Sequence, residues 1–100
     1  MALTKEKVVE QLKNVTDPEM HLNIVDLGLV YDVAIDKEMV VVTMTLTSPA
    51  CPVGPIILDS VEETVKAMQG VKGVTINIVW DPPWSPEKMS EEARMELGIL

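Results

Sequence analysis

Apolar and polar positions along this chain repeat with two periods, and the switches between them mark its elements. Val8, Leu12 and Val15 recur at helical spacing, with Lys5, Glu6, Glu10, Gln11 and Lys13 on the remaining faces. Thr4 stands where an N-cap belongs, and Leu3 and Val8 have the spacing of a hydrophobic staple across it. Pro18 disfavours helical geometry at Asp17, so this helix ends by residues 14–16. From Leu29 the period falls to two. Leu29, Tyr31, Val33 and Ile35 share one face of a strand and Asp32 and Asp36 the other. A turn at Asp36-Lys37-Glu38 returns the chain into a second strand, Met39 to Thr47, giving a hairpin. In that strand Val40, Val42, Met44 and Leu46 point one way and Thr43, Thr45 and Thr47 the other.

Helical spacing resumes from about Ile56 with Leu58, Val61, Val65 and Met68, while Asp59, Glu62, Glu63, Lys66 and Gln69 take the other faces. Gly70 suits the left-handed residue that follows a helix, with Val71 placed to contact Val65. A third strand runs from Val74 to Trp80, with Val74, Ile76, Ile78 and Trp80 on one face and Thr75 and Asn77 on the other. Asp81-Pro82-Pro83-Trp84-Ser85-Pro86 then forms a proline-set loop. Ser90 caps a short final helix with an acidic first turn, ending near Gly98.

The order α-β-β-α-β-α predicts an α+β fold: a small mixed sheet of three or slightly more strands, covered by helices on one face. The first two strands are antiparallel, and the third, reached through a helix, is parallel to one of them by a right-handed crossover. One hundred residues make a single domain, 1–100. The second sheet face is only partly polar, which leaves it for Tyr31 and the Trp84 loop to cover or for an oligomer contact.

Charge narrows the partners. Sixteen Asp and Glu against eight Lys and Arg give −8, which opposes phosphate backbones and excludes a nucleic-acid footprint. Acidity of this degree serves solubility, or docking to a basic partner. The apolar runs are short and the N-terminus lacks a signal-peptide core, so neither membrane nor export is expected, and the placement is cytoplasmic. One cysteine cannot form an internal disulfide, which fits a reducing compartment. Without a CxxC pair, a four-thiolate zinc or iron–sulfur site within one chain is excluded. Phe is absent, so Val, Ile, Leu and Met build the core.

The candidate chemistry gathers around the stretch from Thr43 to Pro55, where a strand breaks into a proline- and glycine-punctuated turn ahead of a helix. Cys51 lies in that turn. As a thiolate before a helix start it would be a better nucleophile and metal ligand; as a small apolar residue it would simply be buried. The long connection 17–28 carries Asp17, Glu19 and Asp26 beside the only histidine, His21. Either Asp17 caps a local turn and the others are solvated, or one carboxylate bonds to, or shares a metal with, the Cys51 loop. His21 is a candidate metal ligand, although a lone histidine in a surface loop is more often simply solvated. Thr45 and Thr47 are either ordinary β-branched strand residues or a row of hydroxyls leading to Cys51.

Three segments together resemble the SufT-like and PaaD-like family of iron–sulfur assembly factors. They are Asp17-Pro18-Glu19 followed by Asp26-Leu27-Gly28-Leu29-Val30; Thr45 to Pro52 with its Thr-x-Thr-x-x-x-Cys-Pro pattern; and Trp80-Asp81-Pro82-Pro83-Trp84 with Met89-Ser90-Glu91-Glu92-Ala93-Arg94 and Leu97-Gly98. Each motif alone is weak, but their order across nearly the whole chain is specific. The resemblance implies a fold similar to the C-terminal domain of NifU-type scaffolds, and a role in maturing or delivering iron–sulfur clusters rather than catalysis. It assigns cluster or metal handling to Cys51, acidic support to Asp17 and Glu19, and strand hydroxyls to Thr45 and Thr47. Met20-His21 stands where many members have proline, so His21 inherits no role. With one thiol per chain, a transient cluster would need Cys51 from two subunits of a homodimer with other ligands, or thiols from a client. The implied partners are cluster donors or scaffolds and apo-clients. A second reading is a non-catalytic adaptor that docks donor to client through the Trp84 loop, with Cys51 structural. A thiol enzyme is weaker, since no base other than His21 is visible.

Overall fold

Helix α1 (Lys5–Leu12) begins where Thr4 turns extended and its hydroxyl accepts from the Lys7 N–H at 3.2 Å. That bond satisfies one of the backbone donors a helix start leaves without partners. The computed structural model describes residues 3–18, 21–47 and 54–98. After α1 come β1 (Thr16–Asp17) and β2 (Leu22–Asn23), which pair as an antiparallel ribbon. Then follow β3 (Val30–Asp36), β4 (Met39–Met44), α2 (Gly54–Lys66), β5 (Gly73–Ile78) and α3 (Glu91–Leu97). The main sheet has the order β3-β4-β5, with β3 antiparallel and β5 parallel to β4. The α+β class and the mixed three-stranded sheet expected from the sequence are what the chain adopts.

The period-two positions of the sheet and the helical stripes of α1 and α2 meet in one core. Val33, Val40, Val42 and Met44 join Val8 and Leu12 from α1 and Ile57, Val61 and Val65 from α2, all 4% exposed or less. Each such side chain taken fully out of water contributes about 1.5–3 kcal/mol. The ion pairs Lys13–Glu10, Lys66–Glu62 and Lys72–Glu38 lie on the surface, where a pair is worth roughly 0–1 kcal/mol. Aliphatic burial therefore holds this fold.

Four expectations need correction. First, the connection 17–28 contains the β1–β2 ribbon, two residues per strand and too short to show a period. Second, Tyr31 does not share the core face with Val33. Val30 pairs with Met44 and Asp32 with Thr43, so Tyr31 is the extra residue of a β-bulge. The bulge hands the place opposite Met44 to Val30 and releases the phenol toward the loop that follows β5. Third, β4 stops at Met44 rather than Thr47, and Thr45 is fully buried instead of lining a half-exposed threonine face. Fourth, β5 ends at Ile78 rather than Trp80, and Trp80, expected on one face with Val74, Ile76 and Ile78, lies beyond the strand and is 45% exposed.

The C-terminal segment is tied back across the sheet. Ser90 caps α3, its hydroxyl accepting from the Ala93 N–H at 3.1 Å, and Gly98 closes the helix at φ 70, both as the sequence indicates.

Candidate functional site

Among the described residues, two polar or charged side chains are buried: Asp17, 2% exposed, and Thr45, fully enclosed. Burying a polar group costs free energy unless it finds partners, and burying a carboxylate costs more. Asp17 is partnered in the fold, and its carbonyl accepts from the His21 N–H at 2.8 Å, closing the turn between β1 and β2. His21 itself is exposed, with φ 58. Glu19 lies outside the described residues, as does Cys51.

The ribbon and the end of β4 are joined by backbone bonds in series. Ile24 N–H donates to Val15 at 3.0 Å, Leu29 N–H to Ile24 at 3.0 Å, and Thr45 N–H to Leu29 at 2.8 Å. Ile24, Leu27 and Leu29 are fully buried beneath this run, so the ribbon carrying Asp17 is fastened to the strand end carrying Thr45. The Thr45 hydroxyl donates to the Leu46 carbonyl over a long 3.4 Å. Thr47 is half-buried. Leu46 reaches the start of α2, where a Cβ at Gly54 would stand 3.0 Å from its Cδ1. The absence of a side chain at Gly54 lets strand end and helix start approach, and these are the anchors of the segment 48–53 that contains Cys51.

Trp84 is half-buried, and its indole N–H donates to the Leu27 carbonyl at 2.6 Å. The polar edge of the ring is thus used within the fold. Tyr31 donates from its hydroxyl to the Pro82 carbonyl at 2.7 Å, and the Lys88 ammonium stands 5.2 Å from the ring centroid. Desolvation raises the Tyr31 phenol above its ordinary 10.0. Asp26 is held by Asn23, whose side chain donates to the carboxylate at 2.8 Å and accepts from the Asp26 N–H at 2.9 Å. The Asp26 carbonyl in turn accepts from the Ser90 N–H at 2.7 Å. Residues 26–31 therefore form the seat for the proline-rich loop.

The structure thus brings Asp17 and Thr45 into one hydrogen-bonded frame with the anchors of the Cys51 segment, and places His21 at the surface. Sequence reasoning passed over Asn23, Leu27 and Tyr31 as positioning residues. The Asn-x-x-Asp spacing of Asn23 and Asp26 was a usable signal for a side-chain-closed turn; the Tyr31 bulge left none. Among the described residues, no group of three His, Cys, Asp or Glu could hold a metal ion.

This architecture has close counterparts. The chain is 46% identical over 98 residues to an Fe-S protein maturation auxiliary factor of Porphyromonas gingivalis, covering 97% of this chain and 93% of that one. It is 47% identical over 96 residues to the Fe-S protein maturation auxiliary factor YitW of Bacillus subtilis, covering 95% and 94%. The crystal structure of a domain of unknown function, DUF59, from Bacillus anthracis superposes with a TM-score of 0.92 at 42% identity, covering 96% and 92%. Residues 5–78 match the model of the iron-sulfur cluster assembly protein family, and with the fold and these relatives in agreement the chain belongs to that family.

Proposed function

We propose that this chain is a non-catalytic iron–sulfur maturation factor, a single domain that takes iron or a cluster transiently as cargo at the Cys51 thiolate and passes it to an apo-client. The observation that carries this reading is that Asp17 and Thr45 are the buried polar side chains among the described residues. A fold held by aliphatic burial does not need them, yet it encloses both in the frame from which the Cys51 segment departs. The relatives named as maturation factors match the chain over nearly its full length. In this role Asp17 and Glu19 set the local negative charge and supply oxygen ligands, and Thr45 and Thr47 orient the departing chain. Cys51 precedes Gly54, the first residue of α2, by three positions in sequence, and the positive end of a helix favours thiolate over thiol. Transfer is ligand exchange: an iron–thiolate bond to Cys51 forms as a donor ligand leaves, and a client thiolate later displaces Cys51, with no change of oxidation state.

One thiolate per chain leaves the remaining ligands to be supplied by a second copy, a donor or a client. Cluster donors or scaffolds and apo-clients are the partners, and the cytoplasm is the place of action. No helix of the described residues is long and apolar enough to cross a membrane.

Anaerobic reconstitution with iron and sulfide, read by visible absorption and by the mass of the intact species, tests this in wild type and Cys51→Ser. A cluster chromophore confined to wild type, at about half a cluster per chain, is expected for a pair of chains bridged through their thiolates. Absence of iron and chromophore from both, with both folded, overturns cargo binding by the isolated chain. The adaptor, which joins donor to client through the Trp84 loop, would then take its place.

A further inference from the structure

β5 is an edge strand without the usual protections. Native edges are blunted by charges, prolines or bulges, and β3 on the opposite edge has two of these, the bulge at Tyr31 and the charges of Asp32 and Asp36, together with the Tyr31–Pro82 tether. β5, Gly73-Val-Thr-Ile-Asn-Ile78, has neither charge nor proline, pairs with β4 in unbroken register, and meets no strand of the described residues on its far side. Val79 donates its N–H to Met44 at 2.9 Å. In a parallel ladder this bond fixes the alternation: Thr75 and Asn77 also turn their backbone groups toward β4, and Val74, Ile76 and Ile78 turn theirs outward. The side chains of these three are half-buried at the rim of the core, while those of Thr75 and Asn77 are exposed.

We infer that β5 is a self-association edge, pairing antiparallel with β5 of a second copy about a two-fold axis at Ile76. The register follows from the backbone. Val74, Ile76 and Ile78 are the outward residues, so the pairing that engages all of them sets Val74 against the partner's Ile78, Ile76 against its counterpart, and Ile78 against the partner's Val74. Apolar side chains then meet across the axis on the inner face, and Thr75 faces the partner's Asn77 on the outer face. The same register brings Lys72, ion-paired with Glu38 of its own chain at 3.0 Å but with its side chain 77% exposed, beside the partner's Trp80 and Asp81, both exposed; a surface pair of that kind is weak enough to be shared with a second carboxylate. A cation thus meets an aromatic ring and a carboxylate at each end, by symmetry. This complementarity selects a second copy over an unrelated extended segment. The two sheets become one of six strands, whether or not Cys51 carries cargo.

The test is sedimentation equilibrium of the apo chain at physiological ionic strength, from micromolar to millimolar, with backbone amide exchange. Wild type should approach twice the 11.0 kDa chain mass, with concentration-dependent protection at the Val74, Ile76 and Ile78 amides. The double variant Thr75→Lys, Asn77→Lys sets like charges across the axis on solvent-exposed positions, and should weaken association at least tenfold while the monomer stays folded. The double variant Thr75→Glu, Asn77→Lys sets opposite charges there and should retain dimerisation. A monomeric wild type throughout overturns the inference, as does a dimer indifferent to the two lysines or one lost equally in both variants. Protection of the β5 amides that appears only when a client protein is added would assign the edge to that client and overturn self-pairing.

Discussion

Gly28 and Lys88 meet backbone to backbone: a Cβ at Gly28 would collide with the Lys88 carbonyl, standing 2.7 Å from its carbon, and Gly28 itself has φ +80. No side chain can be drawn aside to relieve such a contact. Gly28→Ala should therefore cost about 2–4 kcal/mol, combining left-handed strain with overpacking. Gly70, at φ +92 with nothing near its Cβ position, provides the comparison, and its alanine variant should lose only about 1–2 kcal/mol. Urea denaturation of the two variants measures the difference. Equal losses would mean that the Gly28–Lys88 approach is not rigid.

The two tryptophans should separate in the same assay. Trp84→Phe keeps most of the ring but leaves the Leu27 carbonyl without its 2.6 Å donor, at an expected cost of about 1–2 kcal/mol. Trp80→Phe at a 45% exposed position keeps most of the ring as well, and should change stability by less than about 0.5 kcal/mol. If Trp84→Phe proves neutral, the indole N–H does not hold the proline-rich loop, and a docking role for Trp84 gains ground.

Why the hairpin, both long helices and the parallel third strand were legible is plain from their residues. Val8 and Leu12, or Val40, Val42 and Met44, repeat often enough to declare a period, and Thr4, Ser90 and Gly98 mark boundaries through capping that is local in sequence. Tyr31 was misplaced because a bulge inserts one residue without altering the alternation one reads. Thr45 was misplaced because its burial depends on Leu29, sixteen positions earlier, whose carbonyl receives its N–H. The β1–β2 ribbon was missed because strands of two residues have no period. At the site, Asp17 stood out through its motif, but that it would be buried was invisible, since burial of a carboxylate is decided by long-range packing.

Tyr31 is the only tyrosine, so phenolate absorbance reports on it alone. Desolvation raises its folded value above 10.0, while the unfolded chain should titrate near the ordinary value. The neutral phenol is thus favoured by folding. Its contribution to stability is fully present below pH 10.0 and is lost as pH rises through the folded value. An alkaline titration of native and urea-unfolded protein should show the native midpoint higher. Tyr31→Phe should abolish the titration and, through loss of the bond to Pro82, cost about 0.5–1.5 kcal/mol. Coincident midpoints would contradict the desolvation.

Asp17 and Thr45 should part company with Cys51 when stability and cargo uptake are measured on the same variants. Asp17→Ala removes a buried carboxylate and strands its partners, an expected loss of about 1–3 kcal/mol. Thr45→Val keeps the shape and gives up only a hydroxyl whose contact is 3.4 Å long, so its loss should stay below about 1 kcal/mol. If these residues serve the Cys51 segment, Thr45→Val should lower iron and sulfide uptake well beyond its effect on stability, and Asp17→Asn, which keeps the side-chain volume, should do the same. Denaturation midpoints beside iron stoichiometry after reconstitution decide it. Uptake that merely follows the folded fraction in both variants would make Asp17 and Thr45 structural, leaving Cys51 to act without them.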